Sequence, residues 1–188
     1  MQVEELGLGS GLEGVVLFRP KVFQDTRGFF VERFQRERFR AVGLPIDYFQ
    51  DNFSRSHAGV LRGLHYQTQP WQSKLVSVIS GKILDVVVDL RPDSKTCGKS
   101  ISVELTGDGC EMLWVPKGFA HGFCVLGDQP VDLFYKVDGP WDPKSESGVR
   151  WDDPDLKIQW PLTSPDVSPK DRVLPSLQET LRKVHDQW

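Results

Sequence analysis

Short apolar stretches recur along the chain, each broken by Gly, Pro, Asp, Asn or Ser before it reaches helical length. Runs of this kind, rich in Val, Ile, Phe and Tyr, predict β-strands. The first set covers Val15–Phe18, Phe29–Phe34, Tyr48–Phe53, Val60–Tyr66 and Lys74–Ser80. Lys82–Leu90, Lys99–Leu105, Glu111–Val115, Gly122–Leu126 and Val131–Val137 continue it. Ser80-Gly81 is expected to close a hairpin between two of these strands, and Gly107-Asp108-Gly109 to form another turn. Helical periodicity is sparse. Glu37–Val42 predicts one or two turns stopped by Gly43 and Pro45. Ser176–His185 spaces Leu177, Leu181 and Val184 for one face of a helix, with Ser176 as its N-cap. Many short strands and few short helices predict an all-β fold: a sandwich, jelly roll or small β-barrel. Gly139–Asp171, rich in Pro, Asp and Trp, reads as a long loop region folded back on that barrel.

The chain's 188 residues suit a single domain over 1–188 with a helical tail at about 176–187. A net charge of −3 argues against nucleic-acid binding through overall basicity, while leaving room for a local cationic pocket. No apolar run approaches a membrane span. Cys97, Cys110 and Cys124 form neither a CxxC pair nor an even set, which fits reduced thiols in a cytoplasmic protein. The opening MQVEELGLGS shows no basic and apolar secretory pattern, in keeping with that expectation.

Two motifs imitate sites. Gly9-Ser-Gly11-Leu-Glu-Gly14 spells a dinucleotide fingerprint, but the strand-like residues follow it instead of preceding it, so it reads as a flexible N-terminal stretch. Asp152-Asp153-Pro154-Asp155 lacks the spacing, Gly and Glu of a calcium loop and reads as a solvated acidic turn. Of the four histidines, His57 and His185 lie in polar, turn-like or tail segments and are expected at the surface. His65 and His121 instead interrupt apolar, strand-like sequence.

In GVLRGLHYQ, residues 59–67, Arg62 and His65 stand where a buried strand would carry aliphatic side chains. Strict alternation points them to opposite faces. Either Gly63 hosts a bulge that turns one of them, or strand twist lets both reach one cavity.

Pro116-Lys-Gly118-Phe-Ala-His121 resembles the second motif of the cupin superfamily. Metal-binding cupins supply an earlier HxH, which this sequence lacks, so a metal site is short of ligands. Asp25-Thr-Arg27-Gly28-Phe-Phe-Val-Glu32, Gln50-Asp51-Asn52, Gly59-Val-Leu-Arg62-Gly-Leu-His65, Lys74-Leu-Val and Gly118-Phe-Ala-His121-Gly-Phe follow in order. Tyr135-Lys136, Glu146-Ser-Gly148, Trp160-Pro161 and Lys170-Asp171 complete the series. Taken together they resemble the dTDP-4-dehydrorhamnose 3,5-epimerase family over about residues 14–180.

The resemblance implies a cupin-type jelly roll acting on a dTDP-linked 4-keto-6-deoxy hexose, without metal or cofactor. It implies that His65 is the base, Asp171 its orienting partner, Lys74 the cation beside the ketone and Tyr135 the acid on the opposite face. It implies substrate contacts from Arg27, Phe30, Glu32, Gln50, Asp51, Asn52, Arg62, Lys74, His121, Glu146 and Lys170. A homodimer in which N-terminal strands complete the partner's pocket is also implied. An epimerase acting at only C3 or C5, or a non-catalytic sugar-nucleotide-binding cupin, remains an alternative.

Overall fold

The computed structural model describes residues 2–6 and 12–188. The first sheet contains, in spatial order, β1 (Gln2–Glu5), β2 (Val16–Arg19), β10 (Met112–Val115), β7 (Lys74–Ser80), β12 (Val131–Val137) and β5 (Gln50–Ser56). The second runs β13 (Glu146–Gly148), β6 (Val60–Gln67), β11 (Phe119–Val125), β8 (Lys82–Asp89) and β9 (Ser100–Thr106). The short β14 (Asp166–Val167) lies parallel to β6, and β3 (Val22–Asp25) pairs with β4 (Gly28–Val31) as a separate hairpin. This is the all-β jelly roll of the cupin type. Residues 9–11 of the GxGxxG stretch lie outside the described residues.

Period-two alternation explains the layers. Ile83 and Val87 of β8, Phe119, Phe123 and Val125 of β11, Val76 and Val78 of β7, and Leu133 of β12 meet between the sheets. The intervening Leu84, Val86 and Val88 turn outward, as a strand's pleat requires. Fully burying one such aliphatic side chain stabilises the fold by about 1.5–3 kcal/mol, so register is strongly specified. The outer face of the second sheet is not left bare. Leu177 and Val184 of α2 (Leu177–His185) pack on Leu64, Tyr66, Val86 and Val88. Trp151, Trp160 and Val167 of the long connection cover Leu61 and Cys124. On the first sheet, Phe39 of α1 (Arg36–Ala41) stacks with Phe18 at 5.9 Å between ring centroids.

Helix α2 begins as the sequence predicts, with Ser176 and Glu179 forming a reciprocal capping box. Asp153 adds to that start and is the one residue that departs from the expected solvated acidic turn, since Asp152, Pro154 and Asp155 are exposed. It is buried, and its Oδ2 accepts the Leu177 N–H at 2.8 Å. The Ser80-Gly81 expectation is also corrected. Strand β7 belongs to the first sheet and β8 to the second, so this turn carries the chain across the sandwich instead of closing a hairpin. Gly81, at φ +83°, packs against Pro130 and Val131, where a Cβ would sit 2.8 Å from backbone oxygen. The connection to β14 does fold back as expected, because β13 and β14 both pair with β6.

Candidate active site

Strand β6 breaks its own alternation. His65 stands opposite His121, and Arg62 opposite Phe123, so three steps along β6 match two along β11. The extra residue is a β-bulge, which decides between the two geometries the sequence leaves open. Gly63 adopts φ +121°, and a Cβ there would lie 2.6 Å from Gly122 Cα and 3.0 Å from the His121 carbonyl oxygen. The bulge turns Arg62 and His65 to one side. Both line a cavity of about 230 Å³ between the two sheets, together with Ser54, Lys74, His121, Phe123, Leu133 and Tyr135.

His65 is backed by a buried carboxylate. Its Nε2 lies 2.7 Å from Asp171 Oδ1, and the other oxygen accepts the Gly63 N–H at 3.1 Å. Asp171 is 3% exposed. Burial pulls its pKa up, but bonding and charge from His65, with further hydrogen bonds from Gly63 and Ser168, outweigh this and hold it below the usual carboxylate range. An ionised Asp171 makes Nε2 the donor, so Nδ1 carries the lone pair. The same backbone glycine that builds the bulge therefore anchors the orienting carboxylate.

Lys74 and Tyr135 come from the facing sheet, on the adjacent strands β7 and β12. Lys74 Nζ donates to the His65 carbonyl at 3.4 Å. Burial lowers its pKa to about 8, against the upward pull of Glu146 and Asp85. Tyr135 is pushed up, chiefly by burial and then by Glu146, with Arg62 opposing, so its phenol keeps its proton. Beyond His65, Glu146 bonds Lys170 at 2.6 Å. Burial raises Glu146, but Lys170 and Trp141 bond it, and Lys170 and His65 act through charge, leaving it below its ordinary value.

His121 Nε2 lies 2.9 Å from Asp85 Oδ2. Asp85 is fully buried and was not singled out from the sequence. Its signal was available: an acid in the middle of KILDVVVD, at a position whose parity faces inward.

The other expected substrate contacts are spread over several places. Arg62 donates to Ser56 Oγ at 2.9 Å and stays at the cavity wall. Gln50 and Asn52 share one face of β5 and are joined by a 2.7 Å hydrogen bond. Asp51, between them, turns to the outer face and pairs with Lys136 at 2.8 Å. Arg27, Phe30 and Glu32 are not brought to the cavity within this chain. Arg27 pairs with Asp25 at the tip of the β3–β4 hairpin, Glu32 pairs with Arg38, and Phe30 is 67% exposed beside Phe23. Lys170 borders a second depression of about 320 Å³ that shares Arg62 and His65 with the first. Among the described residues, no three His, Cys, Asp or Glu side chains converge as a metal-ligand group.

An imidazole with its carboxylate, an ammonium and a protonated phenol around one enclosed space can remove and return protons on carbon. Fold and cavity together define an acid–base isomerase of cupin architecture. The family model described as dTDP-4-dehydrorhamnose 3,5-epimerase matches residues 10–179, and the chain belongs to that family. It is 46% identical over 159 residues to the dTDP-4-dehydrorhamnose 3,5-epimerase of Shigella flexneri, covering 84% of this chain and 87% of that one. The corresponding enzyme of Bacillus anthracis, solved with TDP and PPi bound, superposes with TM-score 0.87 at 42% identity over 93% of this chain and 99% of that one. The dTDP-6-deoxy-D-glucose-3,5-epimerase of Legionella pneumophila, in complex with dTDP-4-keto-L-rhamnose, gives 0.85 at 45% identity, covering 88% and 89%.

Proposed function

We propose that the protein epimerises C3 and C5 of dTDP-4-dehydro-6-deoxy-D-glucose, giving dTDP-4-dehydro-L-rhamnose for dTDP-L-rhamnose synthesis. Both carbons flank the C4 ketone, so loss of either proton leaves an enolate. His65 Nδ1 takes the proton, while Asp171 keeps the imidazole oriented and stabilises its charged form. Lys74 meets the negative charge that grows on the ketone oxygen. Tyr135, from the opposite wall, returns a proton to the other face of the ring. The chemistry calls for no redox partner and no metal, because the ketone already activates both C–H bonds. The observation that carries this reading is the His65–Asp171 pair facing Lys74 and Tyr135 across one cavity.

Arg62 suits the diphosphate, and Gln50, Asn52, Glu146 and Lys170 suit the surrounding nucleotide, by charge and hydrogen-bonding type. The nucleotide site is completed by a second copy of the chain, in a homodimer whose β3–β4 hairpin supplies Arg27, Phe30 and Glu32. Two features support this: those residues do not line their own chain's cavity, and Phe23, Phe29 and Phe30 are left exposed on the hairpin. The whole chain acts as one domain. Its three free thiols fit the reducing cytoplasm.

The test is proton NMR of the dTDP-4-keto-6-deoxyglucose substrate incubated with the protein in heavy water. Deuterium at both C3 and C5, with product of inverted configuration, is expected. Label at one carbon would assign a single-centre epimerase, and binding without label would reduce the protein to a sugar-nucleotide binder.

A further inference from the structure

Asp85 is a buried ionisable group that the mechanism above leaves without work. Asp85 has no exposed surface, and its Oδ1 has no hydrogen-bond partner. It occupies an inward position of β8 between Ile83 and Val87, where packing alone asks for an aliphatic side chain. A buried carboxylate is costly unless charge and hydrogen bonds compensate it. Burial leaves its pKa raised, and the groups that oppose this lie on the cavity side: His121, which bonds its Oδ2 at 2.9 Å, and Lys74 on the facing sheet, acting through charge.

We propose that Asp85 is a positioning residue for the oxyanion side of the site. Its ionised carboxylate accepts the His121 Nε2–H, fixing that ring, and its field helps keep Lys74 an ammonium at working pH. The inference rests on the reading of this cavity as the epimerase centre. The charged and titratable groups facing Lys74 are Arg62 and His65 from β6, Asp85 from β8, His121 from β11, Tyr135 from β12 and Glu146 from β13. Burial drives Lys74 down, and Glu146 and then Asp85 oppose it. The two carboxylates differ in setting. Glu146 is part-exposed and already neutralised by Lys170, whereas Asp85 is enclosed, where solvent and salt screen it least. Asp85 thus supplies the part of the field on Lys74 that changes little when substrate or salt enters the outer cavity.

The test compares Asp85→Asn with the wild type across pH, reading kcat and KM for epimerisation. Losing one nearby opposite charge shifts a pKa by about one unit or more. The basic limb of the kcat/KM profile is expected to move to lower pH by about that amount, with the acidic limb unmoved and kcat falling more than KM rises. An equal loss at every pH would assign Asp85 a structural role only and overturn the proposal. Should Asp85→Asn not fold, carbon-13 NMR of the wild type decides the matter. An Asp85 carboxyl signal at its ionised position throughout pH 6–9 supports the proposal, and a protonated one at neutral pH overturns it. A wild type that exchanges no substrate proton would instead sink the epimerase reading, and the carboxyl titration would still report on Asp85.

Discussion

His65 and His121 are cross-strand neighbours, each hydrogen-bonded to an aspartate, yet their surroundings set them different tasks. Asp171 is supported by several donors and held below the carboxylate range, so it suits the stabilisation of an imidazolium formed during proton transfer. Asp85 is raised by burial and has fewer donors, so its ionised form depends on His121 and Lys74, the two groups that oppose that burial. Lys74 carries the clearest pH consequence. It must be protonated to meet the enolate oxygen, so turnover is expected to fall as pH rises through about 8, read from the basic limb of the rate profile. Its folded pKa lies below its unfolded one, so its burial costs stability below about 8, and this cost fades as pH rises through the window between the two values. Lys74→Met is therefore expected to raise Tm at pH 7 while lowering kcat by about 10²-fold or more. Tyr135→Phe is expected to keep exchange of substrate protons with heavy water but form little inverted product, because the phenol is needed only for the return step. The sequence made Arg62, His65 and His121 visible as polar interruptions of apolar strands, whereas Lys74, which opens a strand, and Tyr135, which passes for a core tyrosine, were reached only through the family resemblance. Asp51 shows the limit of reading adjacency: Gln50 and Asn52 share a face, and alternation sends the residue between them outward.

Among the elements, strand β6 does most to shape the site, because its bulge brings Arg62 and His65 to one side. Gly63→Ala is expected to destabilise the protein by about 2 kcal/mol or more, seen as a lower urea midpoint, because the positive φ and the approach to Gly122 both exclude a Cβ. Activity is expected to drop with it, since the same backbone N–H holds Asp171. Strand existence was legible from periodicity, including Lys74–Ser80 and Val131–Val137 to the residue. Pairing was not. Ser80-Gly81 has the local chemistry of a hairpin turn, and only the long-range ladders β7–β12 and β8–β9 reveal that it crosses between sheets. The brief strands β3, β13 and β14 carry too few residues for a period to register, although two of them flank β6.

At the scale of the whole molecule, the polar cavity lies inside an otherwise apolar sandwich, closed on its outer faces by α1, α2 and the long connection. The proposed homodimer makes a test of its own. Mixing His65→Ala subunits with Arg27→Ala subunits is expected to restore activity, since one pocket of each mixed dimer then combines an intact His65 with the partner's intact Arg27; a hairpin serving its own chain gives no rescue. The measurement that bears most directly on the account is deuterium uptake at C3 and C5, followed separately in the wild type and in His65→Ala. The account expects exchange at both carbons in the wild type and its loss at both in the variant, with the fold intact by circular dichroism. Continued exchange at either carbon at the wild-type rate would contradict a single histidine base serving both centres.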